Sequence, residues 1–334
     1  MREPAFWWRE AGIAAALMSP FAALYGAVAA SRLKRAGARA GVPVICVGNL
    51  TVGGAGKTPM VLTVARLLKA AGETPMLLSR GYGGRLHGPV RVDQARHRAA
   101  DVGDEPLLLA RLAPTFVARD RVGGAEAAVK AGASVIVMDD GFQNPSLCKD
   151  FSVLVADARR GIGNGRVIPA GPLRAGVAVQ LAAADAVVMV GRSQAEADIG
   201  AAARRRGVPV LAAGLEPDAK ALAALAGRPV LAFAGIGDPE KFFATLATAA
   251  IVVAAARGFP DHHRYTAAEA KALCAAADRR GVNLVTTEKD LVRIAGEPHL
   301  AQLAARVHAL PVTLRLADPE AFLHLLRAKI PLRL

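Results

Sequence analysis

Short runs of nearly unbroken apolar residues alternate along the chain with stretches of helical periodicity. VPVICVGNL at 42–50, PMLLS at 75–79, TFVA at 115–118, ASVIVMDD at 133–140, FSVLVAD at 151–157 and DAVVMVG at 185–191 each predict a strand. Continuous apolarity over so few residues marks strands that are covered on both faces, as in a parallel sheet. MVLTVARLLKAAG at 60–72 and the segments around 105–113 and 123–131 predict helices between them. Strand and helix in alternation give an α/β fold with a doubly wound, mainly parallel sheet. Residues 84–104 break the rhythm, and VRVD with its scattered basic neighbours predicts an excursion or short hairpin above the sheet.

The second half is more weakly marked. GVPVLAAGLEPDA at 207–219 reads as a strand with an exposed connection, and NLVTTEKD at 283–290 and LPVTLRL at 310–316 read as further strands. PVLAFAGIGDPEKFFATL at 229–246 reads as strand, turn and helix, with Asp238 as N-cap and Pro239 in the first turn. The expected organisation is an N-terminal helix over 1–31, a larger domain over 32–215 and a smaller α/β domain over 216–334.

Residues 11–31, AGIAAALMSPFAALYGAVAAS, carry no charge. The length approaches the roughly 20 residues that span a bilayer, but the stretch is mostly alanine with Pro20 at its middle. Trp7, Trp8 and Tyr25 are interface-type aromatics, and Arg32, Lys34, Arg35 and Arg39 follow. The segment reads as a helix lying on or dipping into an anionic membrane face, with packing on the protein itself as the alternative. No clear cleavage site points to a signal peptide.

Composition adds less. In 334 residues, 53% hydrophobic and 21% charged side chains exclude a disordered chain, and glycine and proline without a fixed period exclude collagen. The formal net charge of +14 suggests a polyanionic partner such as nucleic acid, anionic lipid or a phosphorylated substrate. Cys46, Cys148 and Cys274 are odd in number and far apart, so neither a disulfide framework nor a close zinc motif follows, and a reducing cytoplasm is expected.

The first chemistry lies between the first strand and its helix. Gly53, Gly54, Ala55, Gly56, Lys57 and Thr58 form a glycine-rich loop in the strand-to-helix context of a phosphate-binding P-loop. The glycines let backbone amides turn toward phosphate oxygens, and the helix N-terminus adds its positive end. Lys57 would then reach the β and γ phosphates of a nucleotide and Thr58 would offer its hydroxyl to Mg²⁺, with an unligated glycine-rich turn as the alternative. Thr51 stands where the motif usually opens with glycine.

Val135–Met138 delivers Asp139 and Asp140 at a strand's C-terminal end, which resembles a Walker B element able to hold Mg²⁺. Gln143 follows and orients either water or substrate, or simply shapes a turn. Arg80 in SRGYGG could meet a phosphate, and Tyr82 beside it could pack on substrate. Asp104 and Glu105 precede a helix, where capping by Asp104 is the simpler explanation. His262 and His263 follow Asp261. Adjacent histidines do not share a helix face, so a two-histidine zinc site is disfavoured, whereas one histidine paired with a carboxylate can tune proton transfer.

Taken in order, GNLTVGGAGKTP, SRGYGG, VGDEP, VIVMDDGFQ, PAGPLR, FAGIGDPEKFF, FPDHH and VTTEKD resemble the tetraacyldisaccharide 4′-kinase family of lipid A biosynthesis over nearly the whole chain. The resemblance implies a P-loop domain, a smaller C-terminal domain and closure between them, with the N-terminal helix at the cytoplasmic face of the inner membrane. It implies transfer of the ATP γ-phosphoryl group to the 4′-hydroxyl of tetraacyldisaccharide 1-phosphate. On the matching positions it implies Asp104 as catalytic carboxylate, His262 as its partner, Lys57 and Thr58 in P-loop roles, and Asp139 and Asp140 as the magnesium-associated pair. Gln143, Arg80 and Glu105 become supporting residues, and Thr287, Glu288 and Lys289 fall in a family motif without an assigned contact. Where the family commonly has glutamate after PAGPLR, this chain has Ala175.

The partners expected are the lipid acceptor and anionic membrane lipids, with no nucleic acid and no obligate protein partner. A P-loop ATPase coupled to a membrane or nucleic-acid partner is the rival reading. A nucleic-acid ATPase would explain the charge, but basic and aromatic residues do not interleave as a stacking surface requires. A membrane scaffold would explain the N-terminus and leave the P-loop idle.

Overall fold

The computed structural model describes residues 3–332, with Ser193 excepted. Eight strands form most of a large sheet: β1 (Val44–Asn49), β2 (Pro75–Ser79), β3 (Val90–Arg91), β4 (Thr115–Val117), β5 (Val135–Asp139), β6 (Phe151–Asp157), β7 (Ala186–Val190) and β8 (Val210–Pro217). A second sheet contains β9 (Val230–Ala234), β10 (Val253–Gly258), β11 (Asn283–Thr287) and β12 (Val307–Leu310). The chain then returns, and β13 (Val312–Leu316) completes the large sheet. The large sheet runs β13-β8-β7-β6-β1-β5-β2-β4-β3, and the smaller one runs β10-β9-β11-β12.

Every pairing from β8 to β4 is parallel, as the unbroken apolar runs predict. The two outermost strands, β13 against β8 and β3 against β4, are antiparallel. Residues 84–104 thus contribute a short edge strand instead of a hairpin above the sheet. The boundary expected at 215/216 falls inside β8, and β13 lies beyond it in sequence yet belongs to the large sheet. NLVTTEKD splits: β11 ends at Thr287, whose side chain caps the helix Glu288–Ile294 by accepting from the Asp290 amide. Strand β10 was not anticipated, since VAAARG offers alanine where strands usually carry branched residues.

Strands β1, β5 and β6 are buried along their whole lengths. One face of the large sheet packs Met60, Val61 and Val64 of the helix Lys57–Ala70 and Phe322 of the C-terminal helix Pro319–Arg327. Phe322 meets Phe151 edge to face with centroids 6.0 Å apart. Truncating such a buried ring to alanine costs about 3–5 kcal/mol. The opposite face is closed by the helices Arg121–Lys130 and Gln194–Arg204. The order reverses around β1: β5, β2 and β4 lie to one side, and β6, β7 and β8 to the other. A crevice opens at the C-terminal strand ends at such a reversal, which is where ligands of open α/β sheets bind.

The uncharged N-terminal stretch is one helix, Ile13–Leu33, with Pro20 inside it. Its buried positions Ala15, Ala22 and Ala29 recur every seven residues and form a seam of small side chains against the protein. Ile13, Leu17, Phe21, Leu24 and Val28 form an apolar stripe that faces outward. The helix has the length and mean hydropathy, 1.7, of a candidate membrane span, and 17% of its apolar window is buried.

Candidate active site

The glycine-rich loop leaves β1 at Asn49 and enters its helix at Lys57. Gly56 occupies the position before the helix at φ 98°, a left-handed conformation that glycine takes without strain. The loop is approached from the other sheet: a Cβ on Gly237 would lie 3.2 Å from the Gly54 amide nitrogen. A side chain at Gly237 would press on the loop backbone, and a cleft of about 1330 Å³ runs between the sheets.

On the large-sheet wall, Lys57 Nζ lies 3.8 Å from Asp140. Arg174 grips the same carboxylate with two bonds, at 2.7 and 3.1 Å, and donates to Gln143 Oε1 at 3.2 Å. Gln143 donates in turn to fully buried Gln180, which is anchored on the Leu50 and Ala175 carbonyls. Burial opposes ionisation of Asp140, but Lys57 and Arg174 outweigh it and hold its carboxyl below the usual range. Asp140 also sits at φ 51°, one of three non-glycine residues with positive φ among those described.

Asp139 is placed differently. Its carboxylate is buried at the end of β5, and neither oxygen has a hydrogen-bond partner. Burial, with Glu105 and Asp140 nearby, pushes its pKa up to about 7. A buried, unpartnered carboxylate is costly unless it meets a cation. Asp139 and the Thr58 hydroxyl therefore suit a hard divalent ion, whereas Asp140 is already engaged by Arg174 and Lys57. Among the described residues no group of three His, Cys, Asp or Glu side chains could hold a metal. The unpartnered Asp139 carboxylate with the Thr58 hydroxyl suits Mg²⁺, which is usually bound through one or two carboxylates, waters and phosphate oxygens. Ala175 is buried and contributes no carboxylate.

Across the cleft, Asp104 of the larger unit meets His262, Lys289 and Arg293 from the segment that carries the second sheet. Asp104 is the first residue of the helix Asp104–Leu109, with Gly103 as N-cap, so capping does not occupy its carboxylate. Oδ1 accepts from the Glu105 amide. Oδ2 meets His262 Nδ1 at 3.3 Å and Arg293 Nε at 2.7 Å, and also the Arg293 Nη2. Burial works against its charge, but the His262 bond, Arg293 and Lys289 hold Asp104 well below the ordinary carboxylate range. For His262 burial also works against charge, and the bond and field of Asp104 reverse it and raise its pKa. His262 has φ 55°, meets Tyr82 in a tilted ring contact with centroids 4.8 Å apart and lies on the cleft wall. Such local strain clusters at functional sites.

The two walls are tied together by Glu105. It accepts from Thr58 Oγ1 at 3.3 Å and from Lys289 Nζ at 2.6 Å. Lys289 and Arg293 lie four residues apart on one face of the helix Glu288–Ile294 and hold Glu105 and Asp104 respectively. The structure thus brings Lys57, Thr58, Asp139, Asp140, Asp104 and His262 around one cleft region. Of the supporting residues, Gln143, Arg80 and Tyr82 line that cleft, and Glu288 pairs with Arg111 at 3.1 Å at its rim. Arg174, Gln180 and Arg293 were not anticipated.

A glycine-rich loop at the reversal point of a mainly parallel sheet, facing paired carboxylates, defines a P-loop nucleotide-handling α/β protein. A sequence model of the family described as tetraacyldisaccharide-1-P 4′-kinase matches residues 14–331. The tetraacyldisaccharide 4′-kinase of Rhodopseudomonas palustris strain BisA53 is 57% identical over 96% of this chain and 94% of its own length. That of Afipia carboxidovorans is 54% identical over 99% and 98%. The crystal structure of LpxK from Aquifex aeolicus, described as an "apo" form in complex with ATP, superposes with a TM-score of 0.71 at 27% identity, covering 95% of this chain and 99% of that one. The chain belongs to the tetraacyldisaccharide-1-P 4′-kinase family.

Proposed function

We propose that this enzyme transfers the γ-phosphoryl group of ATP to the 4′-hydroxyl of tetraacyldisaccharide 1-phosphate, yielding the 1,4′-bisphosphate lipid A precursor. The observation that carries the reading is the juxtaposition, across one cleft, of the Lys57 loop with the pair of buried Asp104 and half-buried His262. Phosphoryl transfer rests on alignment and charge neutralisation, with little covalent work for the protein. The backbone amides of Gly53–Gly56 and the Lys57 ammonium bind and orient the polyphosphate. Thr58 and Asp139 would hold Mg²⁺, with Asp140 in its surroundings; the ion supplies neutralisation of charge on the phosphate oxygens. The sugar oxygen forms the new bond to phosphorus as the bond to the bridging oxygen of ADP breaks. The hydroxyl proton passes to the Asp104–His262 pair, with Asp104 as base.

A second reading is favoured by one observation: Asp104 is buried and His262 lies on the cleft wall. In that reading the imidazole touches the hydroxyl and Asp104 acts through it. Single-turnover rates separate the two. Asp104→Asn falls further than His262→Ala in the first, and His262→Ala falls at least as far in the second.

The domain reading supported by the sheet order is a larger unit of β1–β8 with β13, and a smaller unit of β9–β12 inserted before it closes. The outward stripe of the helix Ile13–Leu33 would rest in the cytoplasmic leaflet of the inner membrane, with Arg32, Lys34, Arg35 and Arg39 against anionic headgroups. The decisive experiment is transfer from labelled ATP with and without the acceptor, with the phosphorylated position mapped. Label on the 4′-oxygen only when acceptor is present supports the function. Acceptor-independent release of phosphate at the same rate would leave an uncoupled ATPase.

A further inference from the structure

We infer that Arg293, anchored by the buried Asp290, is a positioning residue that fixes the Asp104 carboxylate from the opposite sheet. This rests on the reading of Asp104 and His262 as the proton-accepting pair. The helix Asp104–Leu109 belongs to the larger unit, and Arg293 lies on the helix Glu288–Ile294 that follows β11. Its guanidinium uses both Nε and Nη2 on Asp104 Oδ2, and Nη1 on the Gly235 carbonyl at 2.6 Å and Asp290 Oδ1 at 2.9 Å. A planar fork with donors on several edges can hold a carboxylate in one orientation as an ammonium cannot.

Asp290 makes that fork rigid. It is fully buried, and Oδ1 also accepts from the Gly235 amide at 3.0 Å and the Tyr265 hydroxyl at 2.8 Å, while Oδ2 accepts from Thr287 Oγ1 at 2.6 Å. Gly235 and Asp261–His262 belong to loops of the same small sheet, and the His262 amide donates to the Gly235 carbonyl. Arg293 and His262 are therefore registered to one another before either meets Asp104. The charged groups facing Asp104 are Arg293 and Lys289 on one helix, His262 with Asp261 behind it on the loop after β10, and Glu105 on its own helix. Arg293 is the only one of them seen to form two bonds with the carboxylate among the described residues. Its charge keeps Asp104 ionised, and its second row of bonds transmits the position of the smaller sheet to the reacting carboxylate.

The test uses the full-length enzyme with acceptor in mixed micelles and compares Arg293→Gln, Arg293→Lys and Asp290→Asn. Arg293→Gln should lower kcat about 10²-fold, the scale of a small misplacement of a reacting group, with the KM for ATP within about twofold of wild type. The acid limb of its kcat profile should move to higher pH, because loss of the guanidinium lets the pair hold its proton more tightly. Arg293→Lys should restore the acid limb but not the full rate, since it keeps the charge and loses the fork. Asp290→Asn should shift both in the direction of Arg293→Gln by a smaller amount. A folded Arg293→Gln enzyme with kcat within about twofold and an unmoved acid limb would overturn the proposal. If that variant does not fold, an unmoved acid limb and normal kcat in Asp290→Asn overturn it instead. Asp104→Asn, run alongside, separates the two levels. Normal chemistry in Asp104→Asn defeats the underlying reading, whereas a dead Asp104→Asn with a normal Arg293→Gln defeats only the positioning role.

Discussion

The two walls of the cleft are built in opposite ways. The P-loop wall is local: Lys57 and Thr58 open the helix that follows β1 after one loop, and Asp139 ends the neighbouring strand β5 with Asp140 next to it. The opposite wall is assembled at long range, with Asp104 from the larger unit clasped by His262 and Arg293, 158 and 189 residues further along the chain. A rigid sheet edge can hold a polyphosphate by itself. On the proposed reading of Asp104 as proton acceptor, its set of partners is complete only when both units are in contact, which would link closure to chemistry.

The largest loss of activity is expected at the local wall. Lys57→Ala should reduce turnover about 10³-fold or more, since it removes a charge aimed at the transferring group. Circular dichroism should show an unchanged fold, and near-normal turnover in that folded protein would remove Lys57 from the reaction. Asp104→Asn tests the assembled wall. It should slow the single-turnover step about 10²–10⁴-fold while nucleotide affinity stays near wild type. A parallel loss of ATP binding would mean that the long-range wall also serves the nucleotide.

Asp139→Asn should have a gentler signature, raising the Mg²⁺ concentration needed for half-maximal rate by about tenfold with residual turnover at saturation. An unchanged Mg²⁺ titration would show that the unpartnered carboxylate serves something else. The smallest effect concerns stability. The His262 pKa is raised above 6.5 in the folded protein, so its contribution is complete below that value and is lost as pH rises through the raised one. Asp104 is lowered below 3.8, so its own contribution holds above that value and is lost only in acid. Melting of wild type should therefore decline, as pH rises above 6.5, by about 1–2 °C more than that of His262→Ala. Identical slopes would mean that the Asp104–His262 contact does not persist in solution.

The same contrast decides what could be read from sequence. The parallel strands were legible because each is an unbroken apolar run, and the P-loop because its glycines, lysine and threonine are consecutive. Arg293 was hidden, since reading 283–290 as a single strand concealed the helix on which Lys289 and Arg293 share a face. The four-residue spacing between them was the available signal. Arg174 stood in the quoted PAGPLR, but nothing local tells that its guanidinium meets a carboxylate 34 residues upstream. The return of β13 was equally invisible, because LPVTLRL predicts a strand without naming the sheet it joins.

That return has a consequence for the order in which the molecule can be made. Thr63, in the helix that begins at Lys57, donates its hydroxyl to the Leu314 carbonyl, and Leu314, Phe322 and Leu326 cover the apolar side shared by Met60 and Val64. The helix that begins at Lys57 is therefore sealed by residues translated 251 or more positions after Thr63. Until they emerge, the growing chain carries an apolar flank beside β8 and the nucleotide loop, while the inserted smaller unit is already fully synthesised. A chain that stops before Val312 should be handed to chaperones with the helix that begins at Lys57 half uncovered, so translation through Leu326 is itself a condition for packing that helix.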